Sequence, residues 1–201
     1  MDSQTKEKRI CILRGSPRAD GNTNELTDIS QEELESRGAV VTSFTLYDMK
    51  LLPCRACRIC QSNWSVFGCP LDDEMERIFD AVMAADLILL STPVYSWYCT
   101  PPLKIVMDRM VYGMNKYYGE EKGPSLWEGK HLALITTCGY PVEKGADLLE
   151  EGLRRYCRHS KLRYDGMLAE RHMGYGTTFM DAGKAERAAD FAAKLMTGLQ
   201  G

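Results

Sequence analysis

Three of the eight cysteines fall within one short stretch, Cys54-Arg55-Ala56-Cys57-Arg58-Ile59-Cys60, and a fourth, Cys69, follows after eight intervening residues. Thiolates at three-residue spacing on one compact loop can converge on a soft metal centre. Two such steps with a remote fourth cysteine suit a 4Fe-4S cluster. Arg55 and Arg58 would favour the thiolate form and offset the charge of an anionic cluster. Zinc is a weaker fit, because structural zinc usually draws on two separated Cys-x-x-Cys pairs and this segment has one extra cysteine instead of a second pair. Thiols without a metal, free or disulfide-bonded, are the third reading.

A second chemistry sits nearer the N-terminus. The run Gly15-Ser16-Pro17-Arg18-Ala19-Asp20-Gly21-Asn22-Thr23-Asn24 follows a short β stretch and opens into a helix. Exposed backbone N–H groups, the helix dipole, hydroxyls and an arginine all favour an anion there. The spacing matches neither Gly-x-x-x-x-Gly-Lys-Ser/Thr nor Gly-x-Gly-x-x-Gly, which disfavours a nucleoside triphosphate or a Rossmann-bound dinucleotide. The plain alternative is that Ser, Asn and Thr only turn the chain and cap the helix.

A third run, Ser91-Thr92-Pro93-Val94-Tyr95-Ser96-Trp97-Tyr98, is followed by Thr100-Pro101-Pro102-Leu103-Lys104 and Asp108-Arg109. Its aromatic rings and backbone amides suit a flat heteroaromatic ring with one apolar face and a polar edge. Taken singly, Tyr95, Trp97 and Tyr98 read equally well as core or interface aromatics. Asp108 and Arg109 read as a helix-end or subunit contact.

The elements that must position these residues alternate along the chain. Arg9 to Leu13 reads as a strand, Thr23 to Arg37 as a helix stopped by Gly38, and Val40 to Leu46 as a second strand. Tyr47 to Pro70 is a long irregular, cysteine-rich loop, a length that usually signals function. Met75, Ile78, Phe79, Val82 and Met83 keep helical spacing behind a cap at Asp72 or Asp73. Asp86 to Thr92 is a near-continuous apolar strand, as expected at the buried centre of a parallel sheet. Pro101 and Pro102 start a helix with Leu103, Val106, Met107 and Met110 inward. Asn115 to Gly129 has no assignable shape. His131 to Thr137, Glu143 to Cys157 and Leu162 to Leu168 read as strand, helix and strand, and a final helix starts near Asp181.

Five strands alternating with five helices predict an α/β fold, a doubly wound three-layer sandwich with a five-stranded parallel sheet. In such a sheet of order 2-1-3-4-5, ligands bind where the order reverses, between the carboxyl ends of strands one and three. Both special loops leave from those two strands.

The combination of Gly-Ser-Pro-Arg, then Gly-Asn-Thr, then Thr-Pro-x-Tyr and Pro-x-x-Leu-Lys-x-x-x-Asp-Arg resembles the NAD(P)H-dependent FMN reductase branch of the flavodoxin-like proteins. The cysteine segment with Asp72-Asp73-Glu74-Met75 resembles the iron-sulfur flavoproteins, a subgroup of that family, although the gap from Cys60 to Cys69 is long for it. The resemblance implies an FMN phosphate held by Ser16, Arg18, Asn22, Thr23 and Asn24. It implies a flavin flanked by Pro93, Val94, Tyr95, Ser96 and Trp97, with Thr137, Cys138, Gly139 and Tyr140 as a third wall. Cys54, Cys57, Cys60 and Cys69 become candidate cluster ligands. The implied activity is NAD(P)H-dependent oxidoreduction, with NADH or NADPH as donor and an unidentified electron acceptor. The alternative is an electron carrier between FMN and a cluster that turns over no small substrate. A homodimer or homotetramer with FMN near the subunit contact is also implied.

Composition sets the remaining expectations. The 201 residues fit one domain over 1–201, with 44% hydrophobic and 26% charged residues as in ordinary globular chains. A net charge of -3 gives no reason to expect nucleic acid as a partner. The basic stretch Arg154, Arg155, Arg158, His159, Lys161 and Arg163 reads as a solvated helix end, or else as an attractor for an anionic dinucleotide. The polar Met1 to Arg9 and the lack of a long apolar run predict no membrane association and a cytoplasmic location, where clustered cysteines mean metal or redox work.

Overall fold

Five parallel strands, β1 (Arg9–Arg14), β2 (Val40–Thr45), β3 (Leu87–Pro93), β4 (His131–Cys138) and β5 (Arg163–Arg171), pair in the order β2-β1-β3-β4-β5. This is the flavodoxin-like order expected above, seen in a computed structural model that describes residues 7–174 and 176–200. Alternation along each strand sorts the side chains into two cores. Ile10, Ile12, Leu87, Leu89, Ala133 and Ile135 face one side, where they meet Leu26 and Leu34 of α1 (Asn22–Ser36) and Ala188, Ala192 and Leu195 of α6 (Ala182–Gly198). Cys11, Leu13, Ile88, Leu90, Leu132 and Leu134 face the other. There they meet Ile78 and Val82 of α2 (Met75–Ala84), Leu103, Val106 and Met110 of α3 (Pro101–Met114), and Leu149 and Leu153 of α5 (Asp147–Ser160).

The sequence logic of most elements carries through. Strand β3 is buried from Leu87 to Thr92, as its unbroken apolar run requires at the sheet centre. Helix α1 ends where Gly38 takes φ +85, a conformation that only glycine adopts cheaply. Asp181 caps α6 by accepting from the Lys184 amide at 2.8 Å. The cap expected at Asp72 or Asp73 is not formed: α2 starts behind Glu74, which makes no side-chain cap bond, while Asp73 one residue earlier accepts from the Met75 amide at 3.2 Å.

Two expectations need correction. The helix expected over Glu143 to Cys157 is two pieces, a single turn α4 (Val142–Gly145) and then α5, so the described residues hold six helices instead of five. Gly145 packs so closely that an added Cβ would lie 3.0 Å from Cys138 Sγ, and Ala146 takes φ -112 to redirect the chain. The stretch after α3 also has a shape: Asn115 bridges Ser125, and Trp127 is buried with its indole Nε1 donating to Asn115 Oδ1 at 2.8 Å.

The basic stretch is neutralised in part by its own surroundings, since Arg154, Arg155 and Lys161 pair with Glu150, Glu151 and Glu128. Among the described residues no helix is long and apolar enough to cross a membrane.

Candidate functional site

The loops leaving β1 and β3 are stitched to each other. The Gly15 amide donates to the Ser91 carbonyl at 2.7 Å, and Thr100 Oγ1, at the start of α3, donates to the Gly15 carbonyl at 2.7 Å. A Cβ on Gly15 would stand 2.7 Å from Thr100 Oγ1, so the close approach demands glycine. Behind the first loop, Asn24 is buried and its amide donates to the carbonyls of Arg18 (2.7 Å) and Ala19 (3.2 Å). Thr23 Oγ1 lies 2.7 Å from Thr137 Oγ1, which ties the start of α1 to the end of β4.

These ties frame one cleft of about 390 Å³ at the carboxyl edge of the sheet. Its walls include Ser16, Arg18, Asn22 and Thr23 from the first loop, Pro93, Val94 and Tyr95 from the second, and Thr137, Cys138 and Gly139 from the end of β4. Ser96 and Trp97 stand in an adjoining recess that shares Val94, Cys138 and Gly139 with the cleft. Asn24 does not line either; it braces the loop from behind. The far wall comes from a segment that sequence reasoning missed: His172, Gly174, Gly176 and Thr177 follow β5. Its signal was topological, because β5 ends at the same edge as β1, β3 and β4.

The two ends of the cleft differ in chemistry. Helix α1 begins at Gly21 with no side-chain cap, so its leading amides and the Arg18 guanidinium form an anion cradle. The opposite end is aromatic. Tyr95 and Tyr98 exchange backbone hydrogen bonds at 2.8 and 2.9 Å around Ser96 (φ +49) and Trp97 (φ +62). Two consecutive non-glycine residues in the left-handed region store strain, on the order of 1–3 kcal/mol each. Trp97 is held there by Nε1 donating to the Lys144 carbonyl at 3.0 Å, and its ring stacks on Tyr140 with centroids 5.7 Å apart. Cys138 is buried, and burial pushes its thiol above the ordinary value. His172 Nδ1 accepts from the Gly174 amide at 3.2 Å. The donor set fits a phosphate-bearing flavin: an uncapped helix start with an arginine at one end, flat apolar rings at the other.

The cysteine segment forms a separate, tight recess with only about 20 Å³ of free volume, lined by Cys54, Cys57, Cys60 and Cys69 together with Arg55, Arg58, Arg109 and Tyr112. Arg109 Nη2 donates to Cys69 Sγ at 3.2 Å and Cys60 Sγ lies 3.5 Å from the Tyr112 carbonyl. Burial pushes the Cys60 thiol up, against the opposing influence of Gln61 and Lys116. All eight cysteines are free thiols. Among the described residues no three His, Cys, Asp or Glu side chains are gathered closely enough to hold a metal ion as they stand. In kind and number the four thiols fit a thiolate-held iron-sulfur centre, and the surrounding arginines suit its negative charge.

The sequence profile of the family described as NADPH-dependent FMN reductase matches residues 8–162. An iron-sulfur flavoprotein of Methanocaldococcus jannaschii is 33% identical over 101 residues, 50% of this chain and 51% of that protein. The chain thus spans about half the length of the curated relatives it matches. Among solved structures, an NAD(P)H:quinone oxidoreductase from Methanothermobacter marburgensis superposes with a TM-score of 0.68 at 18% identity, covering 97% of this chain and 98% of that one. An FMN-dependent NADH-azoreductase from Bacillus anthracis, in complex with FMN, gives 0.65 at 14% identity, covering 96% and 100%. At these identities the likeness is one of fold.

Proposed function

The chain belongs to the NADPH-dependent FMN reductase family, and from that premise we propose that residues 1–201 form one FMN-binding domain of a cytoplasmic NAD(P)H-dependent oxidoreductase. The observation that carries this reading is the cleft in which the anion cradle at Ser16, Arg18, Asn22 and Thr23 faces Pro93, Val94 and Tyr95, with Ser96 and Trp97 in the adjoining recess. FMN, when bound, would supply the hydride and electron-transfer chemistry, with NADH or NADPH as donor and an unidentified acceptor.

The protein's own contribution is position. Arg18, Ser16, Asn22 and Thr23 would hold the phosphate, with the leading amides of α1 completing the anion site. Val94, Tyr95 and Cys138 to Gly139 would bound the ring, while Trp97 and Tyr140 shield its open side. Asn24 keeps the cradle in shape by fixing the Arg18 and Ala19 carbonyls. Cys54, Cys57, Cys60 and Cys69 would hold a 4Fe-4S cluster that relays electrons onward. The exposed Tyr95, Trp97 and Tyr140 would find cover in a homodimer or homotetramer.

The four thiols on one recess favour a second reading, an electron carrier between FMN and cluster with no small substrate of its own. Titration of the purified chain with FMN should saturate near one flavin per chain. Flavin-loaded protein should then oxidise NADH or NADPH in the presence of a soluble acceptor. Absence of flavin binding would sink the whole proposal, and flavin binding without turnover would select the carrier.

A further inference from the structure

We propose that Lys116 is the positioning residue that folds the eight-residue gap between Cys60 and Cys69 and so brings both thiols to one recess; this rests on reading the four cysteines as a metal-binding set. Lys116 is fully buried, at 0% exposure. Its ammonium donates to the carbonyls of Cys60 (2.7 Å), Val66 (2.7 Å) and Phe67 (3.4 Å). An ammonium has three N–H donors, so the gap absorbs them all. Among the described residues no carboxylate pairs with it.

A buried cation without an anion is costly, and an apolar side chain would fill the same space more cheaply. What a methionine could not do is join the carbonyl of Cys60 at one end of the loop to those of Val66 and Phe67 at the other. Without such a partner those carbonyls would turn outward, and the gap would open with them. The chain instead folds back on itself: Gly68 takes φ +67, and a Cβ there would lie 3.6 Å from Cys60 Cα. Cys69 follows directly. The ammonium thus does for this loop what a bound cation does for a carbonyl-lined one.

The lysine is itself held firmly. Its amide donates to the Pro124 carbonyl at 2.9 Å and its carbonyl accepts from Gly123 at 2.6 Å. A Cβ on Gly123 would come within 2.7 Å of both Lys116 and Trp64, so the bracket has no slack on that side. Gln61 adds a second stitch, its side-chain amide donating to the carbonyls of Tyr112 (2.5 Å) and Asn115 (3.1 Å) while its oxygen accepts from the Tyr118 amide at 3.1 Å. The unassigned stretch after α3 therefore works as a frame for the cysteine segment.

The test uses the full chain with C54S and C57S, which leaves Cys60 and Cys69 as the only cysteines outside the buried set. Phenylarsine oxide joins two neighbouring thiols with loss of water, and its capture by the metal-free protein reads the pairing directly. Lys116→Met should slow two-thiol capture about tenfold or more, because unsatisfied carbonyls favour an open loop. Lys116→Gln retains two neutral donors and should slow it less. FMN titration, which reads the distant cleft, should be unchanged in both and certifies the fold. Should Lys116→Met fail to bind FMN, Lys116→Gln becomes the deciding variant. Capture at the parent rate in a flavin-binding variant would overturn the proposal.

A parallel arm with all native cysteines loads the parent and Lys116→Met with ferrous iron and sulfide under anaerobic conditions. Loss of iron in the variant alone supports the proposal. A parent chain that takes up no iron would sink the cluster reading, while the arsenical arm still judges Lys116.

Discussion

Arg109 Nη2 donates to Cys69 Sγ at 3.2 Å while Nη1 of the same buried guanidinium pairs with the Asp73 carboxylate. Leu52 completes the knot: its amide donates to Asp73 Oδ2 at 2.7 Å and its carbonyl accepts from Arg109 Nη1 at 3.2 Å. One ion pair therefore closes the cysteine segment at both ends and fastens it to α3.

Removing either partner leaves an uncompensated buried charge. Arg109→Ala and Asp73→Ala should each lower stability by about 3–5 kcal/mol. Their combined loss should fall well short of the sum, since either change alone breaks the same knot. Urea unfolding of the two single variants and the double variant checks this, and strict additivity would refute the coupling.

Acid should act on the same knot. Burial alone would raise the Asp73 carboxyl, but hydrogen bonds from Arg109 and from the Leu52 and Met75 amides outweigh it and hold the group below its ordinary value. A carboxyl depressed in the folded state contributes stability above its unfolded pKa of about 3.9 and loses it as pH falls through the folded value. The parent should therefore lose more stability than Asp73→Asn on acidification below about pH 4, and the two curves should converge. Parallel curves would refute the assignment.

Arg18→Gln should weaken FMN binding by about ten- to a hundredfold, the loss expected for a charge-assisted hydrogen bond. Riboflavin lacks the phosphate and should bind parent and variant alike. Fluorescence titration with both flavins separates the two cases; equal losses would mean that Arg18 shapes the cleft without meeting the phosphate.

Gly113 of α3 lies beneath the ring of Phe67, with no room for a Cβ. Gly113→Ala should displace Phe67 and destabilise the protein by about 1–3 kcal/mol, and it should raise proteolytic nicking within residues 54–69. Limited proteolysis unchanged from the parent would show that the loop does not depend on this seat.

The buried thiols should stay silent. Desolvation pushes Cys11, Cys99 and Cys157 up to about 12, so at pH 8 iodoacetamide should modify the exposed Cys57 and leave these three intact in the folded chain. Peptide mapping by mass reads the result. Early labelling of any of the three would contradict their burial.

The strands and the two site loops were legible because they rest on local rules, apolar runs and turn residues, while the strand order came with the family resemblance. Leu87 to Leu90 announces a central strand whatever surrounds it. The wall made by His172, Gly174, Gly176 and Thr177 was not legible in that way, since these residues carry no spacing signal and gain meaning only from the place where β5 ends. Lys116 was hidden for a related reason. A lone lysine among Tyr, Gly and charged residues reads as solvent-facing, and only tertiary packing turns it inward. The break at Ala146 likewise answers to crowding against Cys138, a contact between elements that no helical periodicity encodes.

Helix α3 joins the two regions: Thr100 at its start donates to the Gly15 carbonyl of the first cleft loop, and its Arg109 and Tyr112 line the cysteine recess. At roughly 1.5 Å per residue, Thr100 stands about 14 Å from Arg109 and about 18 Å from Tyr112 along one stiff rod. A single inserted residue in that rod would turn its far end by about 100° and spoil the register at whichever recess it moved. This helix works as a ruler: its length sets the distance between the first cleft loop and the cysteine recess.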